Sequence, residues 1–393
     1  MKLYEIGTGY TAIPAKISAA TEIVTESLAK ALHRLGYDIS IVDIQTEDRP
    51  DIGIPICEVP VPKVFSGTDI HLGLLHKCKR VVYSLSLARV LKDILRRSEK
   101  SVVFHFHNQY NLFFFLHLTP ARLRKRCVIA YTNHSGIWRL EWESIAKAVR
   151  IQYFQEAFCM KHADLVFVLN DETKENIITH LGVPEKRIFL VPNGVDTERY
   201  HPLPEKEIQT AKEAFGLTEP HILLQVGSVC ENKGQLRAIQ ELLPLLQPRK
   251  DIVYAYAGGI IEETYQQQIQ QFVKEHDIAK QVRYLGMIEP GEELNRLYNT
   301  ATMTILPSRY EAFSLVVVES LAVGIPVLGN LNMPLGFRDG YIGYPSGSLA
   351  ETVRSVLTNS NAELGTVIRN NTLQHYSWEA VAKQYADRMV NHG

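Results

Sequence analysis

Two glutamates, Glu311 and Glu319, stand in the densest functional pattern of the chain, LPSRYEAFSLVVVESLAVGIPV at Leu306–Val327. Ser314 is a good helix N-cap and Gly324 a good helix stop, so a buried helix is predicted between them. Glu311 would precede this helix and Glu319 would lie five residues into it, about 8–12 Å apart along the axis. That separation exceeds the about 5–5.5 Å of a retaining glycosidase pair. The two carboxylates therefore suit two hydroxyl-bearing parts of one long ligand.

The start of the same helix predicts a phosphate site. The valines of the segment would equally suit a strand, but the capping residues favour a helix. The backbone amides of Phe313, Ser314 and Leu315 would be free there, and free amides at the positive end of a helix dipole bind phosphate. The ligand is therefore expected to carry a phosphate between its two hydroxyl-bearing parts.

Length and composition indicate a globular protein of two domains. The chain has 393 residues, of which 46% are hydrophobic and 22% charged. At about 100–200 residues per domain, this length suggests two domains. Its 42 basic and 43 acidic residues give a net charge of −1, which argues against nucleic acid as the main partner. Five cysteines without a CxxC pair fit neither a zinc site nor a disulfide framework.

Strand-like and helix-like segments alternate through both halves of the chain. The strands predicted for the first half are Met1–Ile6, Tyr37–Asp43, Val102–Phe106, Val128–Thr132, Leu165–Leu169 and Ile188–Val191. Those of the second half are Ile222–Val226, Asp251–Ala257, Val282–Leu285, Met303–Leu306 and Val327–Leu328. This alternation predicts an α/β fold with parallel sheets and helices on both faces. A ligand is expected between the two halves, at the carboxyl ends of the strands.

The spacing of Glu311 and Glu319 resembles the donor-site signature of the retaining glycosyltransferases of family 4. Three further segments resemble the family's strand, loop and lysine, its interdomain junction and its closing helix: Leu223–Gly234, Val191–Pro204 and His375–Met389. The resemblance implies two Rossmann-like domains in the GT-B architecture. Residues 1–195 would bind the acceptor, with the C-terminal helix 376–393 packing back on them, and residues 196–375 would bind the donor.

The resemblance also implies roles for three charged side chains. Glu311 would hydrogen-bond the transferred sugar, Glu319 would hold the ribose, and Lys233 would supply positive charge to the leaving diphosphate. The nucleotide base would lie against Arg283–Gly286. The other implied donor-binding residues are Ser228, Leu285, Gly286, Arg309, Phe313, Ser314 and Leu315. Taken alone, each glutamate could be a solvated helix residue and Lys233 a surface lysine.

Two departures from the family pattern bear on the diphosphate. Ser228 stands where the family has an arginine that contacts phosphate, and a serine carries no charge. Arg309, close to Glu311, is one candidate to compensate. The segment after Val327 is shorter than in the family and lacks its Gly-Gly-x-x-Glu stretch.

The loop after the first strand formally fits a dinucleotide fingerprint. Gly7 to Ala12 reads GxGxxA, but the next helix is predicted to begin only near Ala19. NAD binding is therefore disfavoured. In the family this loop approaches the donor phosphate and the acceptor, so the resemblance places Gly9, Ala19 and Ala20 on the acceptor side.

Three histidines follow strand ends in the first half. His105 and His107 alternate onto one face, but the sequence shows no adjacent carboxylate or third histidine, so no metal is expected. His107 matches the family's cleft histidine that faces the acceptor and the transferred sugar, and it is taken as catalytic. His134 matches a second cleft histidine, whereas His105 is expected to be packed. Trp138 could line an acceptor pocket or be a packed core residue.

The function implied is retaining transfer of a hexosyl group from a nucleotide-diphosphate sugar, with a UDP-sugar expected, to an acceptor hydroxyl. The partners are then the donor and a hydroxyl-bearing acceptor, with no metal and no separate cofactor. A nucleotide-sugar epimerase of the same fold and a catalytically silent nucleotide-binding protein are the alternatives. The protein is expected in the cytoplasm, with at most peripheral contact at the inner membrane face, because its longest apolar runs are far shorter than a spanning helix.

Overall fold

The computed structural model describes residues 1–14, 20–65, 74–330, 340–359 and 363–391. The chain forms two compact units. The first comprises Met1–Gly194 and Trp378–Gly393, and the second comprises Val195–Ser377. Ala19 and most of the shortened segment after Val327 lie outside the described residues.

The first unit is built on a parallel sheet. Its strands are β1 (Lys2–Ile6), β2 (Ile39–Ile44), β3 (Ile56–Val59), β4 (Val102–Phe106), β5 (Cys127–Thr132), β6 (Leu165–Val168) and β7 (Ile188–Leu190). Within the described ranges they lie in the order β3-β2-β1-β4-β5-β6-β7. The helices are α1 (Ala20–Arg34), α2 (Leu74–Arg97), α3 (Gln109–Leu118), α4 (Ala121–Arg124), α5 (Trp142–Ile151), α6 (Phe154–His162), α7 (Asp171–Leu181) and the C-terminal α15 (Trp378–Asn391).

Both faces of this sheet are buried. All residues of β2 and β4 are buried, as expected for parallel strands covered by helices on two sides. On one face α1 and α15 pack through Leu28, Leu32, Tyr385 and Met389. The closing helix of the chain thus belongs to the first unit's core.

The second unit repeats this architecture. Its strands are β8 (His221–Val226), β9 (Ile252–Ala257), β10 (Val282–Tyr284), β11 (Met303–Leu306), β12 (Val327–Asn330) and β13 (Tyr341–Tyr344), and they lie in the order β10-β9-β8-β11-β12-β13. The helices are α8 (Glu205–Phe215), α9 (Gln235–Leu246), α10 (Glu263–Glu275), α11 (Glu292–Thr300), α12 (Leu315–Val323), α13 (Leu349–Thr358) and α14 (Leu364–Tyr376). Strands β8 and β11 are neighbours, so the order of strands reverses between them.

The predicted fold class is confirmed, and the two strands that the sequence did not predict are edge strands. β3 has four residues between Pro55 and Pro60, and β13 contains Gly343. Short edge strands of this kind carry little hydrophobic alternation, since only one flank is paired. No helix in the described ranges is long and apolar enough to cross a bilayer.

Candidate functional site

Two loops at the carboxyl ends of β8 and β11 are docked onto each other. The Arg309 amide donates to the Asn232 carbonyl at 2.8 Å, and the Asn232 side-chain amide donates to the Tyr310 carbonyl at 3.3 Å. Gly234 has a φ of +73°, and a Cβ there would come within 2.6 Å of the Pro307 carbonyl oxygen. A glycine is therefore required at this crossing.

This docking places Lys233 against Glu311. The ammonium Nζ lies 2.6 Å from Glu311 Oε1, and the side chains are 27% and 11% exposed. The aliphatic stem of Lys233 runs beside Gly227, where a Cβ would be within 3.7 Å of its Cδ. Two of the predicted catalytic residues are thus brought together, and a cation lies beside a carboxylate at the end of the sheet.

The predicted helix α12 begins directly after this pair. Ser314 occupies its N-cap position, although its hydroxyl makes no capping bond within the described residues. Gly324 ends the helix with a φ of +89°, as expected for a left-handed C-terminal residue. Ser320 ties the helix to β11 through a 2.8 Å hydrogen bond with Thr304. The amides of Phe313, Ser314 and Leu315 have no acceptor in the described part of the chain, which is the arrangement predicted for phosphate.

Glu319 lies further along α12 and is paired with two tyrosines. The Tyr298 hydroxyl donates to Glu319 Oε2 at 2.8 Å, and the Tyr200 hydroxyl also bonds this carboxylate. Burial raises the pKa of Glu319, while the two tyrosines and Arg199 favour its charged form. The two tyrosines fix the direction in which the carboxylate points.

The segment predicted to receive a nucleotide base, Arg283–Gly286, comprises the end of β10 and the two residues after it. Leu285 and Gly286 are partly buried, and Gly286 has a φ of +77°. Tyr284 stacks on Tyr256 with 5.1 Å between ring centroids, and its hydroxyl donates to the Gly258 carbonyl at 2.8 Å. An aromatic surface is therefore available at this position.

Ser228 and Arg309, the two residues considered for contacting the diphosphate, have different surroundings. Ser228 lies in the loop after β8, where its carbonyl accepts a 2.9 Å hydrogen bond from Gln235. The Arg309 guanidinium is bound to Glu231 at 2.7 Å and lines a cavity of about 420 Å³ together with Arg237. In this structure the Arg309 guanidinium is therefore paired with Glu231 in an exposed ion pair.

The glycine-rich loop of the first unit packs against Tyr83. Gly9 has a φ of +79°, and a Cβ there would come within 2.2 Å of the Tyr83 ring. The Tyr83 hydroxyl donates to the Gly7 carbonyl at 3.1 Å. Helix α1 begins at the exposed Ala20, well after the glycines, which agrees with the weak case for a dinucleotide fingerprint.

His107 is buried in a cluster that the sequence did not predict. The β1–β4 register pairs Glu5 with His105, and Glu5 contacts both His105 and His107, the residue that follows β4. His105 Nδ1 lies 3.0 Å from Glu5 Oε1, and His107 Nε2 lies 2.7 Å from Glu5 Oε2. His107 Nδ1 in turn lies 3.0 Å from His134 Nε2. Both ring nitrogens of His107 are therefore occupied, so the expectation that it faces a ligand is not met.

The fold brings a carboxylate and a third histidine to His105 and His107, although the sequence shows neither beside them. Glu5, His105 and His107 place ligand atoms within 4.8 Å of one another, the spacing of a possible metal site, and His134 is bonded to the last of them. Parallel strands brought these side chains together from distant parts of the chain. All three are buried, and their ring and carboxylate atoms bond one another directly.

Trp138 belongs to the core and does not line an acceptor pocket. It is fully buried among the residues on one face of the first sheet. Its indole Nε1 donates to Glu156 Oε2 at 2.6 Å, and the Tyr131 hydroxyl and the Asn133 amide donate to Oε1 of the same carboxylate. Burial raises the pKa of Glu156 to about 6, although the hydrogen bonds from Trp138 and Tyr131 act in the opposite direction. Glu156 thus anchors the loop that carries His134.

Sequence reasoning missed the residues that position the predicted ones. Glu5 lies in a segment predicted only as a strand, and Tyr200 lies in the Val191–Pro204 segment without a role of its own. Glu156 and Tyr298 lie outside every motif considered. A signal was available for Glu5, since a charged residue inside a strand of a parallel sheet needs a buried partner.

Known proteins match the chain over most of its length. The model described as Glycosyltransferase Family 4 matches residues 21–199, and that described as Glycosyl transferases group 1 matches residues 207–372. The mannosylfructose-phosphate synthase of Agrobacterium fabrum is 24% identical over 81% of this chain and 74% of its own. The D-inositol 3-phosphate glycosyltransferase 1 of Catenulispora acidiphila is 30% identical over 59% of this chain and 58% of its own.

Solved structures share the fold. The Anabaena protein HepE in complex with UDP aligns over 99% of both chains with a TM-score of 0.73 and 14% sequence identity. The two-sheet architecture and the two family matches agree on one assignment. The chain belongs to the glycosyltransferases of family 4, with the GT-B architecture, and is a nucleotide-sugar glycosyltransferase.

Proposed function

We propose that this protein is a retaining glycosyltransferase that moves a hexosyl group from a UDP-sugar to an acceptor hydroxyl without a metal ion. The second unit would hold the donor at the ends of β8 and β11. The carboxyl edge of the first unit's sheet would hold the acceptor. The observation that carries the proposal is the Lys233–Glu311 pair beside the amino end of α12.

The geometry supports a division of labour along one donor molecule. The amides of Phe313, Ser314 and Leu315 and the ammonium of Lys233 would receive the two phosphates, because each offers positive charge. Glu311 would accept hydrogen bonds from hydroxyls of the sugar, and Glu319 would accept them from the ribose. Since Lys233 already contacts Glu311, the same ammonium can reach both the sugar-binding carboxylate and the diphosphate.

In the proposed reaction the acceptor oxygen attacks the anomeric carbon on the face that the diphosphate leaves. The bond from that carbon to the diphosphate oxygen breaks, a new carbon–oxygen bond forms, and the leaving phosphate oxygen takes the acceptor's proton. No dedicated protein base is needed. The protein would lower the barrier by positioning the reactants and by stabilising the charge that grows on the diphosphate.

The choice of UDP rests on similarity and on the segment at the end of β10. The Anabaena neighbour was solved with UDP. In this chain Tyr284 and Gly286 form an accessible edge against which a base can lie. The names of two relatives, a phosphate synthase and an inositol phosphate glycosyltransferase, describe phosphorylated sugars or polyols, and such compounds are the first acceptors to try.

A thermal-shift panel of nucleotides and nucleotide sugars tests the donor half, because ligands that bind the folded state raise its melting temperature. UDP and one UDP-sugar are expected to stabilise the protein more than ADP, GDP or NAD. A larger shift with another nucleotide would overturn the choice of UDP. The Glu319→Gln variant, which should lose most of the UDP shift, is the matched control.

Product configuration tests the mechanism. With an α-linked donor and an acceptor found by screening, retention predicts an α-linked product, identified by its anomeric proton coupling in NMR. A β-linked product would show inversion and remove the proposed mechanism. Donor consumption without any acceptor would instead indicate an epimerase, and binding without turnover would indicate a silent nucleotide-binding protein.

A further inference from the structure

A chain of hydrogen bonds runs through the first unit from α15 to the loop after β5. The Tyr385 hydroxyl lies 3.4 Å from Thr132 Oγ1, which lies 2.7 Å from His105 Nε2. From His105 the chain continues through Glu5 to His107 and ends at His134. We call the part formed by Glu5, His107 and His134 the histidine relay. Its members come from β1, from the residue after β4 and from the loop after β5, which are adjacent at the carboxyl edge of the sheet.

The relay fixes where each proton sits. An ionised carboxylate can only accept hydrogen bonds, so the nitrogen of His107 that faces Glu5 must carry a hydrogen. In a neutral imidazole the other nitrogen, Nδ1, is then an acceptor, and its partner, His134 Nε2, must be the donor. His134 is left with a lone pair on Nδ1. The donor and acceptor of each hydrogen bond in the relay therefore follow from the charged carboxylate of Glu5.

The ionisation states agree with this assignment. Burial opposes the charge on Glu5, but His105 and His107 outweigh it and hold the pKa of Glu5 at about 2. Burial first, and then the neighbouring His105, lower the pKa of His107 to about 4. Burial also lowers the pKa of His134 well below its usual value. At neutral pH the carboxylate is charged and both rings of the relay are neutral.

Only one end of the relay reaches the surface of the first unit. Glu5 and His107 are buried, whereas His134 is partly exposed. Within the described ranges, Nδ1 of His134 has no hydrogen-bond partner. The loop that carries His134 is anchored to the core. Asn133 before His134 and Trp138 after it both donate hydrogen bonds to the buried Glu156. Nδ1 of this partly exposed residue is therefore both defined in its protonation and fixed in position.

We propose that Glu5 is a positioning residue that acts through His107 to make His134 present Nδ1 as a hydrogen-bond acceptor to a hydroxyl of the acceptor substrate. The identity of that ligand rests on the proposed function, whereas the protonation pattern does not. Glu5 never touches the substrate in this account. Its role is to exclude the opposite pattern, in which His134 would offer a donor and would select a carbonyl or anionic group instead of a hydroxyl.

The first experiment measures protonation directly. The protein is labelled with ¹⁵N at its 14 histidines, and long-range ¹H–¹⁵N correlation spectra give the tautomer of each ring. His107→Gln and His134→Gln variants assign the two signals. Both rings are expected to carry hydrogen on Nε2 and none on Nδ1. Hydrogen on Nδ1 of either ring, or on both nitrogens of His107, would overturn the relay even if no acceptor substrate is ever found.

The second experiment uses Glu5→Gln, which keeps the shape of the side chain. A glutamine cannot accept from both His105 and His107 through two bare oxygens, so at least one ring must change tautomer or lose a bond. The KM for the acceptor should rise roughly tenfold, about the effect of one lost hydrogen bond, while the UDP thermal shift stays as in the wild type. Glu5→Asp, which keeps the charge, should recover part of the loss.

Glu58→Gln is the matched control, because Glu58 is a 40% exposed glutamate on β3 that is not part of the relay. An unchanged acceptor KM in folded Glu5→Gln, with altered tautomers, would remove the link to the acceptor. Equal losses in acceptor KM and UDP binding would show a general structural role. Stoichiometric binding of added Zn²⁺ to the wild type, abolished in Glu5→Gln, would also overturn the proposal, since a metal would take the lone pairs that the relay assigns to hydrogen bonds.

Discussion

The Lys233 ammonium lies 2.6 Å from the Glu311 carboxylate, and the two residues come from loops that follow different strands. The contact depends on Gly234, whose missing side chain lets the first loop pass within van der Waals distance of Pro307 in the second. Because both side chains remain partly exposed, the pair contributes little to the free energy of unfolding. Its position beside the start of α12 points to a role in binding and turnover.

Replacing either partner should therefore impair catalysis far more than stability. Glu311→Gln, Glu311→Ala and Lys233→Gln are each expected to lower kcat by about 10²–10³-fold, the usual effect of removing one group that stabilises developing charge. Steady-state kinetics with donor and acceptor give the value, and thermal unfolding should change little. Lys206→Gln, at an exposed lysine of α8, is the control. Normal transfer by the Glu311→Ala variant would remove the main site assignment.

Changing Glu319 should weaken donor binding. Glu319→Gln removes the charge that Tyr298 and Tyr200 orient, and the Kd for UDP measured by calorimetry should rise about tenfold or more. Tyr298→Phe removes the 2.8 Å hydrogen bond but leaves the carboxylate, so its effect should be smaller. Unaltered UDP affinity in Glu319→Gln would show that this carboxylate does not hold the ribose.

His107 should make stability depend on pH. Its folded pKa is lowered to about 4 from 6.5, first by burial and then by His105. Between these values the unfolded chain binds more protons than the folded one, so the free energy of unfolding rises with pH across this window. Lowering the pH from 7 to 4 should reduce the free energy of unfolding by about 3 kcal/mol through the protonation of His107. Denaturant unfolding at several pH values measures the slope, which should flatten in His107→Gln; an identical slope would contradict the assignment.

Trp138 should matter for folding. Trp138→Phe keeps an aromatic ring in the core but takes the 2.6 Å donor away from Glu156, a buried carboxylate. The free energy of unfolding is expected to fall by about 1–3 kcal/mol, the cost of leaving a buried acceptor unsatisfied. Chemical denaturation measures it, and Trp142→Phe on the half-buried face of α5 serves for comparison. If the Trp138→Phe variant kept full stability but lost acceptor binding, Trp138 would instead have the acceptor-pocket role first considered for it.

The sequence determined the elements of this fold and the order in which they occur. Alternating hydrophobic strands and capped helices are local patterns, so Val102–Phe106 and Met303–Leu306 were predicted with the bounds that the structure shows. The helix of Glu319 was also predicted, since Ser314 and Gly324 mark its ends in the sequence itself. The two strands that were not predicted, β3 and β13, lie at sheet edges, where the hydrophobic pattern is short and interrupted.

Tertiary structure decided which side chains meet. The contact between Lys233 and Glu311 joins residues 78 positions apart, and that between Glu5 and His107 joins residues 102 positions apart. No local pattern encodes such pairs, because they depend on which strands are neighbours and on where each strand ends. The same reason explains why Trp138 proved to be core and why His107 proved to be enclosed: burial is a property of the packed sheet, whereas the sequence specifies only the chemistry of each side chain.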